Sequence, residues 1–172
     1  MNREKDGQGK EYFSNRQILF EGEYKNGMKW TGKGYDKNGK VLYELKNGNG
    51  PVKELFEKGE LIFEGEYLTG KRNGKGKQYY FGNRSIFEGE YLNGKRNGKG
   101  KEYENGKLIF EGEFLNGERN GKVKEYYPTG KLKFEGEYLN GELNGKVKEY
   151  YPTGESKFEG EYFNGKRKGK VK

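Results

Sequence analysis

The pentapeptide Phe-Glu-Gly-Glu followed by Tyr or Phe begins at Phe20, Phe63, Phe87, Phe110, Phe134 and Phe158, in steps of 43, 24, 23, 24 and 24 residues. A fixed period of this size limits the chain to a repeat architecture, because each copy is too small to bury a core alone and must stack on its neighbours. The long first step divides into 23 and 20. A shortened unit opens at Tyr43, and its second half, Asn49-Gly-Pro-Val-Lys-Glu-Leu-Phe56, aligns with Asn144-Gly-Lys-Val-Lys-Glu-Tyr-Tyr151. The expected division is a single array over residues 1–172. It comprises a partial unit 1–19, units 20–42, 43–62, 63–86, 87–109, 110–133 and 134–157, and a partial unit 158–172.

Each unit reads as a β-hairpin. In Leu132-Lys-Phe-Glu-Gly-Glu-Tyr138 the residues alternate with the strand period of two. Leu132, Phe134, Gly136 and Tyr138 share one face; Lys133, Glu135 and Glu137 share the other. Lys122–Tyr127 supplies the companion strand. Pro128-Thr-Gly130 and Asn105-Gly106 carry turn chemistry, and Asn116-Gly-Glu-Arg-Asn-Gly121 reads as a longer connection between hairpins. A glycine inside a strand weakens it. Its recurrence between two aromatics of one face implies that an aromatic ring from a neighbouring strand lies across it.

Composition narrows the options further. The chain of 172 residues is only 29% hydrophobic and 36% charged, with a mean hydropathy of −1.31. Such values border on those of disordered chains, but aromatics make up 16% of the residues and stand in register. A thin sheet burying aromatics on one face fits; a thick two-layer core does not. There is no Cys and no His, which excludes disulfides, Cys/His zinc sites and Ser-His or Cys-His nucleophiles. The polar start, Met1-Asn-Arg-Glu-Lys-Asp-Gly7, lacks a signal-peptide pattern, so a cytoplasmic location is expected. Glu pairs such as Glu64/Glu66 and Glu111/Glu113 recur in every regular unit, which suits a solvated cross-strand ladder better than catalysis. Gly70-Lys-Arg-Asn-Gly-Lys-Gly76 fails the phosphate-loop spacing.

The unit Phe87-Glu-Gly-Glu-Tyr-Leu-Asn-Gly-Lys-Arg-Asn-Gly-Lys-Gly-Lys-Glu-Tyr-Glu-Asn-Gly106 resembles the MORN (membrane occupation and recognition nexus) repeat, with its pattern aromatic-x-Gly-x-aromatic-x-x-Gly-x-x-x-Gly-x-Gly. Tyr or Phe stands where that family usually has a second aromatic Trp, and Val123 and Val147 replace the last glycine. The resemblance implies an all-β, elongated single-sheet array of antiparallel β-hairpins. It also implies association with membranes or the cytoskeleton, or attachment to a catalytic domain elsewhere in a longer chain.

Two functional readings follow, neither enzymatic and neither needing a cofactor or metal. In the first, a partner protein or peptide binds along an aromatic-lined groove through Tyr67, Tyr91, Phe114, Tyr138 and Tyr162, with Trp30, placed in an irregular loop, as an anchor. In the second, a peripheral membrane module binds anionic phospholipids through basic hairpin loops: Lys71, Arg72, Lys95, Arg96, Lys166, Arg167 and Lys168. Glu118-Arg119 and Glu142-Leu143 interrupt that basic stripe. A bacterial antitoxin or immunity-like interaction protein is a further alternative. The net charge of +8 attracts polyanions generally, but nucleic acid is disfavoured because the aromatics are committed to packing. Both ends of the sequence fall within a unit, which leaves open edges for self-association or for further repeats.

Overall fold

The computed structural model describes residues 5–80 and 84–168. The described residues form two compact units, one of residues 5–80 with 91–95, the other of residues 84–90 with 96–168. Both are built of consecutive antiparallel hairpins, and no helix occurs among the described residues.

In the first unit, β1 (Gly7–Tyr12), β2 (Ile18–Lys25), β3 (Met28–Tyr35) and β4 (Val41–Leu45) pair in chain order. Next come β5 (Gly50–Leu55), β6 (Leu61–Leu68) and β7 (Lys71–Tyr80), again paired in chain order. The ladder is not continuous as a single sheet: between β4 and β5 it thins to one bridge, Lys46 to Asn49. The cause is local. This hairpin lacks the two residues that the others carry after the turn, and Pro51 has no N–H to donate.

Most of β8 (Ser85–Leu92) and β9 (Lys95–Glu104) belongs to the second unit. They are joined there by β10 (Lys107–Leu115), β11 (Glu118–Tyr126), β12 (Leu132–Leu139), β13 (Glu142–Leu143), β14 (Gly145–Tyr150), β15 (Ser156–Phe163) and β16 (Lys166–Lys168). Short β13 and longer β14 both pair with β12.

The turns explain the pairing. Asn26-Gly27, Asn93-Gly94, Asn116-Gly117, Asn140-Gly141 and Asn164-Gly165 all have positive φ at both residues, the two-residue turn whose twist matches that of the strands. The stretch 116–121 is therefore not a long connection. It is a two-residue turn followed at once by β11, with a bulge at Gly121 (φ 80°) that shifts the register between Gly112 and Phe114. Gly74, Gly98 and Gly145 have positive φ at the equivalent place. Each turn is also tied to the preceding hairpin. The N–H of Gly94 donates to the Arg72 carbonyl, that of Gly117 to Arg96, that of Gly141 to Arg119 and that of Gly165 to Leu143, at 2.8–2.9 Å.

Thr69 holds the asparagine position of one such turn at φ 51°, where a β-branched side chain is strained. Thr69→Asn is expected to stabilise the chain by about 1 kcal/mol, read as a higher urea midpoint at unchanged slope. An unchanged midpoint would show that the turn carries no strain.

The core is a row of phenylalanines. Phe20, Phe63, Phe87 and Phe110 are at most 1% exposed and Phe134 is 6% exposed. Each ring lies back over the glycine two residues later in its own strand and over the residue facing that glycine. A Cβ on Gly65 would sit 2.8 Å from the Phe63 ring, and one on Gly76 2.6 Å from it. The ring thus comes from the glycine's own strand rather than from a neighbouring one. Val123 and Val147, where the family pattern has glycine, are buried against Gly112 and Gly136 and fill the same layer. The second aromatic packs edge-on, as Phe114 does on Phe87 at 5.1 Å and Tyr91 on Phe63 at 5.3 Å.

Candidate interaction face

A second row of side chains covers the phenylalanines, set by the pairing. The residue nine places after each Phe stands opposite the second aromatic: Lys29 opposite Tyr24, Arg72 opposite Tyr67, Arg119 opposite Phe114, Leu143 opposite Tyr138 and Arg167 opposite Tyr162. Opposed residues project from the same face, so each cation folds back over the ring. The guanidinium carbon lies 4.2 Å from the ring centre for Arg72 on Phe63, 4.0 Å for Arg96 on Phe87, 3.9 Å for Arg119 on Phe110 and 4.2 Å for Arg167 on Phe158. The Lys29 ammonium sits 4.8 Å over Phe20. Such stacks contribute about 0.5–2 kcal/mol according to their exposure.

Carboxylates hold the cations in place. Glu54 takes two hydrogen bonds from Arg72, at 3.0 and 2.9 Å. Glu102 accepts from both Arg96 and Arg119 at 2.7 Å, Glu125 accepts from Arg119 at 3.0 Å, and Glu149 accepts from Arg167 at 3.0 Å. Burial alone raises the pKa of Glu11, but the Lys29 ammonium at 2.8 Å and Lys5 at 2.9 Å outweigh it and bring its carboxyl down to about 2.

Tyrosines complete the clusters. The hydroxyls of Tyr67, Tyr138 and Tyr162 donate to Glu54, Glu125 and Glu149 at 2.7, 3.3 and 3.0 Å. Burial first, and then the Glu54 carboxylate, push the Tyr67 phenol well above the usual tyrosine range; Tyr43 moves the same way for the same two reasons. On the opposite face burial, with the hydrogen bond to Glu111, raises Tyr126 to about 12. These phenols bind their protons more tightly folded than unfolded. The stability they confer is complete below about pH 10, the unfolded value, and is lost as pH rises through the folded values. In an alkaline titration the part of the tyrosinate absorbance that belongs to these phenols is therefore expected to appear together with loss of the β signal. Complete ionisation of all fifteen tyrosines near pH 10 with the sheet intact would contradict this.

The structure distributes the sequence-predicted residues unevenly. Of the aromatic set, Tyr91 and Phe114 are buried, each 4% exposed, while Tyr67, Tyr138 and Tyr162 are half-buried. Trp30 lies in strand β3 rather than in a loop, half-buried under the Lys25 ammonium at 4.7 Å, and its carbonyl accepts from the N–H of Gly48 at 2.6 Å. Of the basic set, Lys71, Lys95, Lys166, Arg167 and Lys168 are exposed, whereas Arg72 and Arg96 are half-buried. Arg72, Arg96 and Arg167 stack on phenylalanine and bind carboxylates instead of reaching out from loops, because the turns use only two residues and the arginines already belong to strands. The cation row escaped the sequence reading. Its signal was present as a cation nine residues after five of the six phenylalanines, with Glu nine before Phe20, Phe63, Phe134 and Phe158.

Family models match segments that carry much of this repeated face, with Phe110, Phe114 and Arg167 outside them. The MORN repeat matches residues 20–30, 63–82 and 87–107, and the MORN repeat variant matches residues 119–140 and 143–164, together more than half of the chain. The chain belongs to the MORN-repeat family. Among curated proteins, none matches the chain. MORN repeats are non-enzymatic modules that mediate protein or membrane-lipid interactions. In this MORN protein the change from the standard repeat to the variant runs parallel to the change from Gly76 and Gly100 to Val123 and Val147.

Proposed function

We propose that the chain is a non-catalytic scaffold that binds a polypeptide segment of a partner protein across its phenylalanine–cation–tyrosine face. The observation that favours this over lipid binding is the use of the charges. Arg72, Arg96, Arg119 and Arg167 are paired with carboxylates and stacked on rings, which leaves lysines, with the exposed but paired Arg167, as the outward-facing members of the basic set, and Glu118 and Glu142 stand at the equivalent positions of two units. A lipid headgroup would meet an interrupted row of single lysines. A polypeptide would meet half-exposed Tyr138 and Tyr162, each with a hydroxyl anchored to a carboxylate, beside a depression over Phe134. Rigid aromatics with a polar tip make effective protein contacts at low entropic cost.

The test is selection of displayed peptides on the full chain, followed by affinity measurement on Tyr138→Ala/Tyr162→Ala. The expected result is at least about tenfold weaker binding, measured where the β signal shows the double variant still folded, the effect of losing anchor side chains. Selected peptides that bind the double variant as tightly as the parent, or vesicles of anionic lipid that bind where no peptide does, would overturn the reading.

A further inference from the structure

Along the second unit, charges alternate across neighbouring hairpins: Arg96, Glu102, Arg119, Glu125, then Leu143, then Glu149 and Arg167. Leu143 occupies the place where the other regular repeats carry arginine, in the same register opposite the second aromatic. The rest of the cluster is intact. Phe134 supplies the ring, Tyr138 the hydroxyl, and Glu125 and Glu149 stand eighteen residues before and six after position 143. Those are the offsets at which Glu54 and Glu149 meet Arg72 and Arg167, and at which Glu102 and Glu125 meet Arg96 and Arg119. Where a guanidinium would lie there is a depression of about 200 Å³, lined by these five side chains among others. Phe134 is correspondingly more exposed, at 6%, than the 0–1% of Phe63, Phe87 and Phe110.

We infer that this vacancy receives an arginine side chain from the partner segment, its guanidinium stacked on Phe134 between Glu125 and Glu149. The inference rests on the scaffold reading and names the residue the scaffold selects. The chain itself provides the template: four arginines stack on a phenylalanine with a carboxylate beside them, and Arg119 does so between two, Glu102 and Glu125. Arginine is selected over lysine because a planar guanidinium can stack on the ring and give hydrogen bonds to two carboxylates at once. Two lysines compete: Lys133 lies 3.6 Å from Glu125 and Lys157 3.6 Å from Glu149. Their side chains are half exposed, and such pairs are weak. Glu149 already pairs with Lys157 while accepting hydrogen bonds from Arg167, so a lysine beside the carboxylate does not bar an arginine.

The direct probe is N-acetyl-arginine methylamide titrated into the full chain. The readout is the NMR signals of the Leu143 methyls and the Phe134 and Tyr138 rings. Saturable shifts are expected at those groups, with the lysine analogue about tenfold weaker, the scale of one charge-assisted hydrogen bond, and the uncharged citrulline analogue inert. Leu143→Arg should abolish the shifts by filling the site in cis. Leu143→Met should retain them, and Lys133→Met should strengthen binding. Absence of saturable shifts, or shifts that persist in Leu143→Arg, would overturn the site. Failure of the two readings is distinguishable. Selected peptides that tolerate both Arg→Lys in the peptide and Leu143→Arg in the chain remove the arginine site and leave the scaffold standing. Guanidinium shifts in a chain that selects no peptide remove the scaffold alone.

Discussion

Phe110→Ala is expected to destabilise the second unit by about 3–5 kcal/mol, the range for truncating a buried phenylalanine that leaves a cavity. Phe110 is 1% exposed and carries contacts on every side. Gly112 forms the floor, Phe114 packs edge-on at 5.5 Å and the Arg119 guanidinium closes the top at 3.9 Å. The sheet has one layer, so no second sheet can collapse into the gap. Arg119 also loses the apolar surface that it covers while still bound to Glu102 and Glu125. The two residues are therefore coupled: Arg119→Met should cost less in the Phe110→Ala background than in the parent, by about 1 kcal/mol. Denaturant unfolding of the four proteins measures both quantities. A loss below about 1 kcal/mol for Phe110→Ala would mean that the ring row is not the core.

Gly22→Ala should cost about 3 kcal/mol or more, through two separate penalties. Gly22 has φ 155°, a region that residues with a Cβ rarely adopt, and it faces Gly32 across the β2–β3 ladder. A Cβ there would overlap the Thr31 carbonyl oxygen and come within 2.6 Å of the Gly32 Cα. Both obstacles are backbone, which cannot move aside without breaking the ladder. Gly39→Ala is the control: φ is 77° but nothing lies within 4 Å of the added carbon, so only the backbone term of about 1 kcal/mol remains. Equal losses for the two variants would show that close strand approach at Gly22 contributes nothing.

The sequence disclosed the hairpin array because its two signals are local and repeated. Alternation through Phe134, Gly136 and Tyr138 sets one face of a strand, and Asn-Gly dipeptides set the turns. The bulge was harder to read. Gly121 could serve a loop or a kinked strand equally well, and only the pairing of Phe114 with Arg119 decides between them. The break between β4 and β5 had a visible cause in Pro51 and in a unit shortened to 20 residues, yet a shorter unit alone does not say which ladder suffers.

The interaction face was less legible. A charged residue beside a turn reads as solvated, and nothing near Arg72 in the sequence announces that it folds back on Phe63. That fact belongs to cross-hairpin geometry, which brings together residues nine apart on one side and eighteen apart on the other. Exposure of the second aromatic was hidden for the same reason. Tyr91 and Tyr138 occupy equivalent positions, but the first is buried and the second half-buried beside the vacancy at Leu143. Leu143 itself stood in view as an interruption of a basic stripe. Its meaning emerged only once the neighbouring arginines were seen to be structural.

Each regular repeat is closed by a cation stacked on its phenylalanine and held by carboxylate, with position 143 the exception. Urea unfolding of Leu143→Arg beside the parent and Leu143→Met tests it most directly. A guanidinium restored over Phe134, between Glu125 and Glu149, should raise stability by about 1 kcal/mol, while methionine should leave it nearly unchanged. A midpoint for Leu143→Arg equal to or below that of the parent would contradict the account, because the position would then not be built for a guanidinium.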